Sequence, residues 1–290
     1  MTRLAFTKMH GIGNDYIYVN ALESAPMDPG RLARRISDRH FGVGSDGLVL
    51  IRPSQQADFL MDMYNSDGSR GLMCGNAIRC VAKYCYERGL TERRQLAIET
   101  LSGIKTLDLQ VQGGHVIQVT VNMGPPEFAP ARIPVRWQDK SMVEEPIAVA
   151  GRLYPLTCLS MGNPHAVIFL DEIDTLDLPR LGPAFEHHTL FPDRVNTEFV
   201  QVIDRRQIRM RVWERGAGET LACGTGACAA LVAAALTGRT DRQATVCLKG
   251  GNLAITWQKQ SGEVLMTGPA AFVFDGWIDL DEEDQHAEGQ

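Results

Sequence analysis

The chain of 290 residues carries one short device twice, LMCGNAIRC at 72–80 and LACGTGACA at 221–229. Each places a Leu two residues ahead of a Cys-Gly pair that opens a helix-like run, and the two cysteines, Cys74 and Cys223, lie 149 positions apart. Other landmarks keep that offset. Gly13-Asn14 maps onto Gly162-Asn163, Met61 onto Met210, Asn65 onto Glu214, Leu72 onto Leu221, Gly75 onto Gly224 and Gly89 onto Gly238. Such matches mean little singly, but an ordered set in one register is the signature of internal duplication. A duplicated chain is constrained to fold as two similar halves.

Within each half an alternating, strand-like run, FLMDMYN or IRMRVWE, leads through a Gly-containing loop to the Cys. The run after Cys74, NAIRCVAKYCYERG, has helical spacing and ends at Gly89. Its counterpart, TGACAALVAAALTG, is almost wholly apolar and ends at Gly238, which predicts a helix buried on every side. Further strand-like runs are QLAIET, GHVIQVTV, PIAVAG, HAVIFL, ATVCLKG and EVLMTG. The expected fold is α+β: two pseudo-symmetric domains, each a mixed or antiparallel sheet wrapped around a central helix, with the active site in the cleft between them. The stretch MGPPEFAPARIP is the expected crossing between halves. The expected domains are therefore 1–125, carrying Cys74, and 126–268, carrying Cys223. A last strand near 270–281 is expected to return to the first half, and the acidic stretch 282–290 to be a disordered tail.

Composition narrows the function classes. Hydrophobic residues make up 44% and charged residues 22%, which is ordinary globular content, and a net charge of −6 with scattered Lys and Arg offers no basic face for a nucleic acid. No run reaches the roughly 20 apolar residues a bilayer span requires, and MTRLAFTKMHGIGNDYIYV lacks the features of a cleaved leader, so the protein is expected in the cytoplasm and away from membranes. The seven cysteines are odd in number and spaced unlike a secreted disulfide framework, so they are read as free thiols. No C-x-x-C pair occurs and the Cys–His spacings fit no zinc module, so no metal is expected.

A lone Cys is more often a packing residue than a reactive one. Cys80, Cys85, Cys158, Cys228 and Cys247 keep that reading, whereas Cys74 and Cys223 share a matched place just ahead of a helix. There the unpaired N–H groups and the helix dipole are expected to lower a thiol from about 8.5 toward neutrality. The N–H groups at Gly75-Asn76 and Gly224-Thr225 also suit an anion, which points to a carboxylate-bearing substrate. Two thiols on two pseudo-symmetric halves supply what inversion of a carbon centre needs, a base for one face and an acid for the other. The reaction class is racemisation or epimerisation of a small-molecule substrate.

The segments GNDYIYVN, YNSDGSRGLMCGNAIRC, MGNPHAVIF, VNTEF and WERGAGETLACGTGACA resemble, in order and spacing over almost the whole chain, the diaminopimelate epimerases. These are pyridoxal-phosphate-independent enzymes of lysine and cell-wall synthesis. The resemblance implies that Cys74 is the proton donor and Cys223 the acceptor in the LL-to-meso direction, with no cofactor. It implies substrate contacts from Asn14, Asn65, Gly75, Asn76, Asn163, Asn196, Glu214, Arg215, Gly224 and Thr225, with His165 and Glu214 tuning the cysteines, and a homodimeric assembly. Taken alone, an Asn beside Gly is usually a turn residue, Glu214-Arg215 a solvated ion pair and His165 a strand cap. One departure stands out. Where the family usually reads G-V-G-x-D-Q, this chain has GVGSDG, so Gly47 occupies a position where a Gln commonly approaches the substrate. A racemase for a proline-like ring would leave Arg215 and the distal amides without a role, and a binding protein on the same fold would be expected to lose one of the two cysteines. A pyridoxal-phosphate enzyme is disfavoured because the anion-binding elements are occupied by the Cys loops.

Overall fold

The structure, a computed structural model, describes residues 2–280; the tail expected at 282–290 lies outside the described residues. The chain divides into two compact units, residues up to Val121 together with those from Gly268 onward, and Asn122–Thr267. The elements run β1 (Thr2–Gly11), β2 (Asn14–Asn20), α1 (Pro29–Ser37), β3 (Gly47–Arg52), β4 (Phe59–Asn65), β5 (Arg70–Gly71), α2 (Gly75–Glu87), β6 (Gln95–Thr100), β7 (Gly103–Gln112) and β8 (His115–Gly124). There follow β9 (Met142–Val149), β10 (Arg152–Ser160), β11 (Pro164–Phe169), α3 (Leu178–Glu186), β12 (Asn196–Asp204), β13 (Gln207–Glu214), β14 (Gly218–Thr220), α4 (Gly224–Leu236), β15 (Gln243–Leu248), β16 (Gly251–Trp257), β17 (Val264–Gly268) and β18 (Ala271–Leu280).

Duplication is exact at the level of elements. The offset of 149 carries α1 onto α3 and α2 onto α4 residue for residue. In the first unit β18 pairs antiparallel with β1 and β1 with β2; β2–β3 is parallel, β3–β4 and β4–β5 antiparallel, β4–β6 parallel, and β6–β7–β8 antiparallel. The second unit repeats the pattern as β9–β10–β11, parallel β11–β12, antiparallel β12–β13 and β13–β14, parallel β13–β15, and antiparallel β15–β16–β17. Only the outermost strand differs in chain order: β9 precedes its partner, whereas β18 returns from the far end of the chain.

Each sheet curls around its central helix. Helix α4 is buried from Gly226 to Ala234, as its uninterrupted apolar run requires, and α2 is buried from Gly75 to Cys85 although it contains Arg79 and Lys83. Both helices stop at a glycine in the left-handed region, Gly89 at φ +72° and Gly238 at φ +74°, where a side chain would be strained. The runs FLMDMYN and QLAIET coincide with β4 and β6.

The sequence reading did not anticipate α1 and α3. Each is capped by an aspartate at the same offset, Asp28 accepting from the Arg31 N–H at 2.9 Å and Asp177 from the Arg180 N–H at 3.3 Å. They cover the outer face of each sheet through second cores. Leu32, Ala33 and Ile36 pack with Ile17, Leu48 and Leu50 in the first unit; Leu178 and Phe185 pack with Leu156, Ile168 and Phe199 in the second. With α4 on one face and α3 on the other, β12 is buried continuously from Asn196 to Val200.

Candidate active site

In the first unit Cys74 is the N-cap of α2, and its sulfur accepts from the Ala77 N–H at 3.4 Å. In the second, Cys223 caps α4 and accepts from the Gly226 N–H at 3.4 Å. Sulfur is a weak acceptor beside the oxygen of Ser, Thr, Asp or Asn, so a cysteine at both caps stabilises its helix less than those residues would. Gly75 and Asn76 follow Cys74 in the first turn of α2, and Gly224 and Thr225 follow Cys223 in the first turn of α4.

The two thiols have different surroundings. The Cys74 thiol donates to Asn14 Oδ1 at 3.3 Å, and Asn14 Nδ2 donates to Asp46 Oδ2 at 2.7 Å. Behind Asp46, Arg39 bridges Asp46 and Asp15 at 3.0 and 2.9 Å, and Lys8 reaches Asp15 at 2.9 Å. Burial and the nearby Asp15 charge push the Asp46 carboxyl up. Asp15 itself is raised by burial but more than compensated by Arg39 and Lys8, which hold it below its ordinary value.

Cys223 is buried, with Thr225 Oγ1 at 3.5 Å and a hydrogen bond to Glu214. Burial first, and then the Glu214 and Glu198 charges, push its thiol well up. This reverses the sequence-based expectation of a thiol lowered by the helix terminus: the Gly226 N–H does favour the thiolate, but desolvation and two carboxylates outweigh it. Glu214, at the end of β13, is hydrogen-bonded by the Thr220 hydroxyl and is itself raised by burial and by Glu198. His165 is fully buried, its Nδ1 2.7 Å from Glu198 Oε1 and its Nε2 2.9 Å from Asn163 Oδ1.

The remaining expected residues divide between the two units. Asn65 ends β4 and donates to Ser69 Oγ at 3.0 Å, while Asn76 is buried and accepts from Arg79 Nη2 at 3.0 Å. Asn196 opens β12 and accepts the Arg215 backbone N–H at 2.9 Å; the Arg215 guanidinium is exposed and touches the Asp193 carbonyl at 3.0 Å. Gly47 opens β3 in a crowded place, where a Cβ would lie 2.1 Å from the Tyr64 carbonyl oxygen and 2.7 Å from the Tyr16 ring. That position offers a ligand only its backbone. Sequence reasoning missed Asp46 and Glu198. The signal for Glu198 was its place two residues after Asn196 in one strand, hence on the same face as an expected site residue. Among the described residues no cluster of three or more His, Cys, Asp or Glu is arranged to hold a metal ion.

A duplicated α+β fold with a cysteine capping each central helix defines a class. The fold is shared with a hydroxyproline epimerase from Agrobacterium vitis, which superposes with a TM-score of 0.72 over 98% of this chain and 94% of that one, at 17% identity. Sequence comparison is more specific. The diaminopimelate epimerase family model matches residues 6–129 and 157–273. A diaminopimelate epimerase from Acetivibrio thermocellus is 56% identical over 279 residues, covering 96% of this chain and 100% of that protein. Another from Desulfovibrio desulfuricans is 56% identical over 279 residues, covering 94% and 97%. The chain belongs to the diaminopimelate epimerase family, isomerases that epimerise diaminopimelate in lysine biosynthesis.

Proposed function

We propose that Cys74 and Cys223 are the acid and base of this epimerisation, and the observation that carries the reading is their identical placement at the caps of α2 and α4 amid unlike partners. In the LL-to-meso direction Cys223, as thiolate, takes the α-proton; the C–H bond breaks and an S–H bond forms. Cys74 then gives its thiol proton to the opposite face of the carbanion and is left as thiolate, and the reverse reaction exchanges the roles. Cys74 is suited to its part because Asn14 Oδ1 accepts from its thiol.

Cys223 is held as a thiol in the ligand-free protein by burial and by the Glu214 and Glu198 charges. The substrate's own α-ammonium, arriving beside Glu214, offsets that charge and allows the thiolate to form where the proton is to be taken. The first-turn N–H groups at Gly75-Asn76 and Gly224-Thr225 take the α-carboxylate. Arg215, with the amides of Asn65, Asn163 and Asn196, takes the distal amino-acid end. His165 tunes the second-unit thiol through its contacts with Glu198 and Asn163. Thiol chemistry of this kind requires no cofactor.

The protein acts in the cytoplasm as a homodimer, feeding peptidoglycan as well as lysine synthesis. The dimer is supported by β18, which pairs with β1 and exposes Val273, Phe274 and Trp277. The reading is tested by assaying LL-diaminopimelate beside D-proline, L-proline and hydroxyproline after exhaustive dialysis with chelator. Turnover of diaminopimelate alone is expected; turnover of a proline, or loss of activity restored by zinc, overturns it.

A further inference from the structure

Asn14 and Asn163 are equivalent by the duplication, and each follows a glycine in the left-handed region, Gly13 at φ +88° and Gly162 at φ +96°. Yet their amides are tied from opposite ends. Asn14 donates through Nδ2 to Asp46 at 2.7 Å, which leaves Oδ1 to accept the Cys74 thiol at 3.3 Å. Asn163 is held through Oδ1, 2.9 Å from His165 Nε2, which leaves Nδ2 without a partner among the described residues. An asparagine both donates and accepts, so the end it presents is decided by whatever holds the other end.

The holding groups are not duplicated. The offset of 149 places Val195 opposite Asp46, Tyr16 opposite His165 and Val49 opposite Glu198. Glu198 is fully buried, with Oε1 on His165 Nδ1 at 2.7 Å and Oε2 unpaired. Its carboxyl passes over the first turn of α4, where a Cβ on Gly226 would stand 2.7 Å from Oε1, so the glycine leaves it room. Asn163 Oδ1, which can only accept, faces Nε2 at 2.9 Å, so in this arrangement Nε2 is the donor and the Glu198 carboxyl meets the other ring nitrogen.

We propose that Asp46 and the His165–Glu198 pair are positioning residues that fix the duplicated asparagines in opposite amide orientations, so that Asn14 presents a carbonyl beside Cys74 and Asn163 presents its NH₂ group to an anionic part of the substrate. The proposal rests on the reading of both asparagines as substrate contacts. It gives a structural origin for the inequality of the halves. A carbonyl beside Cys74 favours the protonated thiol that the donor must be, whereas a free NH₂ in the other half favours negative charge.

Substitution and NMR test this. In Glu198→Gln the carboxyl becomes an amide that can either donate to or accept from Nδ1, so the ring tautomer, and with it the end of Asn163 that faces Nε2, is no longer fixed. In Asp46→Asn the partner no longer dictates which end of Asn14 it binds. The side-chain amide resonances of Asn14 and Asn163, assigned by their disappearance in Asn14→Ala and Asn163→Ala, are expected to respond selectively: Asn14 to Asp46→Asn, Asn163 to Glu198→Gln. Both positioning variants should lose roughly 10- to 100-fold in kcat/KM for LL-diaminopimelate. If Glu198→Gln does not fold, Asp46→Asn carries the test alone. The proposal fails if these variants leave the amide resonances and KM at wild-type values while Asn14→Ala and Asn163→Ala raise KM, and in that case the substrate-contact reading stands. If the alanine variants leave KM unchanged, that reading falls and the proposal with it.

Discussion

Arg211 on β13 and Glu219 on β14 are joined at 2.8 Å, and at the same positions of the first unit Asp62 on β4 meets Arg70 on β5 at 2.7 Å. The bridge is duplicated with its charges exchanged. In both units it ties a short strand to the sheet four residues before the capping cysteine, Arg70 ahead of Cys74 and Glu219 ahead of Cys223. A salt bridge depends on the pair and not on which side carries which sign, so divergence exchanged the residues without losing the staple.

The two staples should differ in strength. Arg211 is largely buried and also donates to the carbonyls of Ile173, Asp174 and Leu176, whereas Arg70 is nearly half exposed. Arg211→Ala is expected to destabilise by about 3 kcal/mol, since it leaves the carbonyls of Ile173, Asp174 and Leu176 without this donor, although Glu219 keeps Lys249. Arg70→Ala should lose about 1 kcal/mol or less, because the buried Asp62 keeps Arg52 at 3.1 Å. Urea unfolding monitored by circular dichroism gives the comparison, and equal losses would contradict it.

Removing either thiol should abolish epimerisation without unfolding the chain, because a small side chain at a helix cap contributes little core volume. In deuterated water the Cys74→Ala enzyme, which keeps Cys223, should exchange the α-hydrogen of the LL isomer slowly with retention. The Cys223→Ala enzyme should do so at the D centre of the meso isomer. Serine replacements should be little better than alanine, since a hydroxyl ionises too far above neutrality to act as base. Proton NMR of the α-positions follows all of this, and near wild-type interconversion by one single variant would mean that one base serves both faces.

Charge beside Cys223 gives a pH prediction. Negative neighbours disfavour a thiolate, so the Glu214 carboxylate raises this thiol, and Glu214→Gln should bring it down. Iodoacetamide alkylation of Cys223 in ligand-free protein should therefore be slow near neutrality and reach its midpoint at lower pH in the variant, as read by peptide mass spectrometry. A midpoint that is unchanged or moves upward would rule out the electrostatic account.

Buried thiols also set an alkaline limit. Burial pushes Cys80 up to about 11 and raises Cys85, Cys158 and Cys223 as well. An acid raised in the folded state is neutral there while the unfolded chain ionises near 8.5, so its contribution is complete below that pH and is lost as pH climbs toward 11. Stability to urea should fall between pH 8.5 and 11 on this account, and Cys80→Ala should lessen the fall. A stability profile that is flat over this range would contradict it.

Much of this architecture was legible because its signals are linear in the chain. A constant offset announces duplication. The unbroken apolar run after Cys223 demands a buried helix, and a cysteine ahead of such a run is a cap candidate whatever the rest of the fold does. The small helices α1 and α3 escaped notice because nine-residue segments interrupted by Pro and Gly have weak periodicity, and their stability comes from the sheet faces they cover.

The chemical character of the site was decided elsewhere. A helix terminus is a local feature, and from it alone both thiols read as acidic. The charge state of Cys223 is instead the sum of burial by the surrounding sheet and of carboxylates at positions 198 and 214, brought to it by two different strands. The orientation of Asn14 depends on Asp46, 32 residues away, and that of Asn163 on Glu198 acting through His165. The sequence by itself determined that there would be two halves, two central helices and two capping thiols, because periodicity and repetition are written along the chain. Only the tertiary structure decided how the halves differ, because electrostatic energy depends on distance in space and on exclusion of water, and neither is ordered along the sequence.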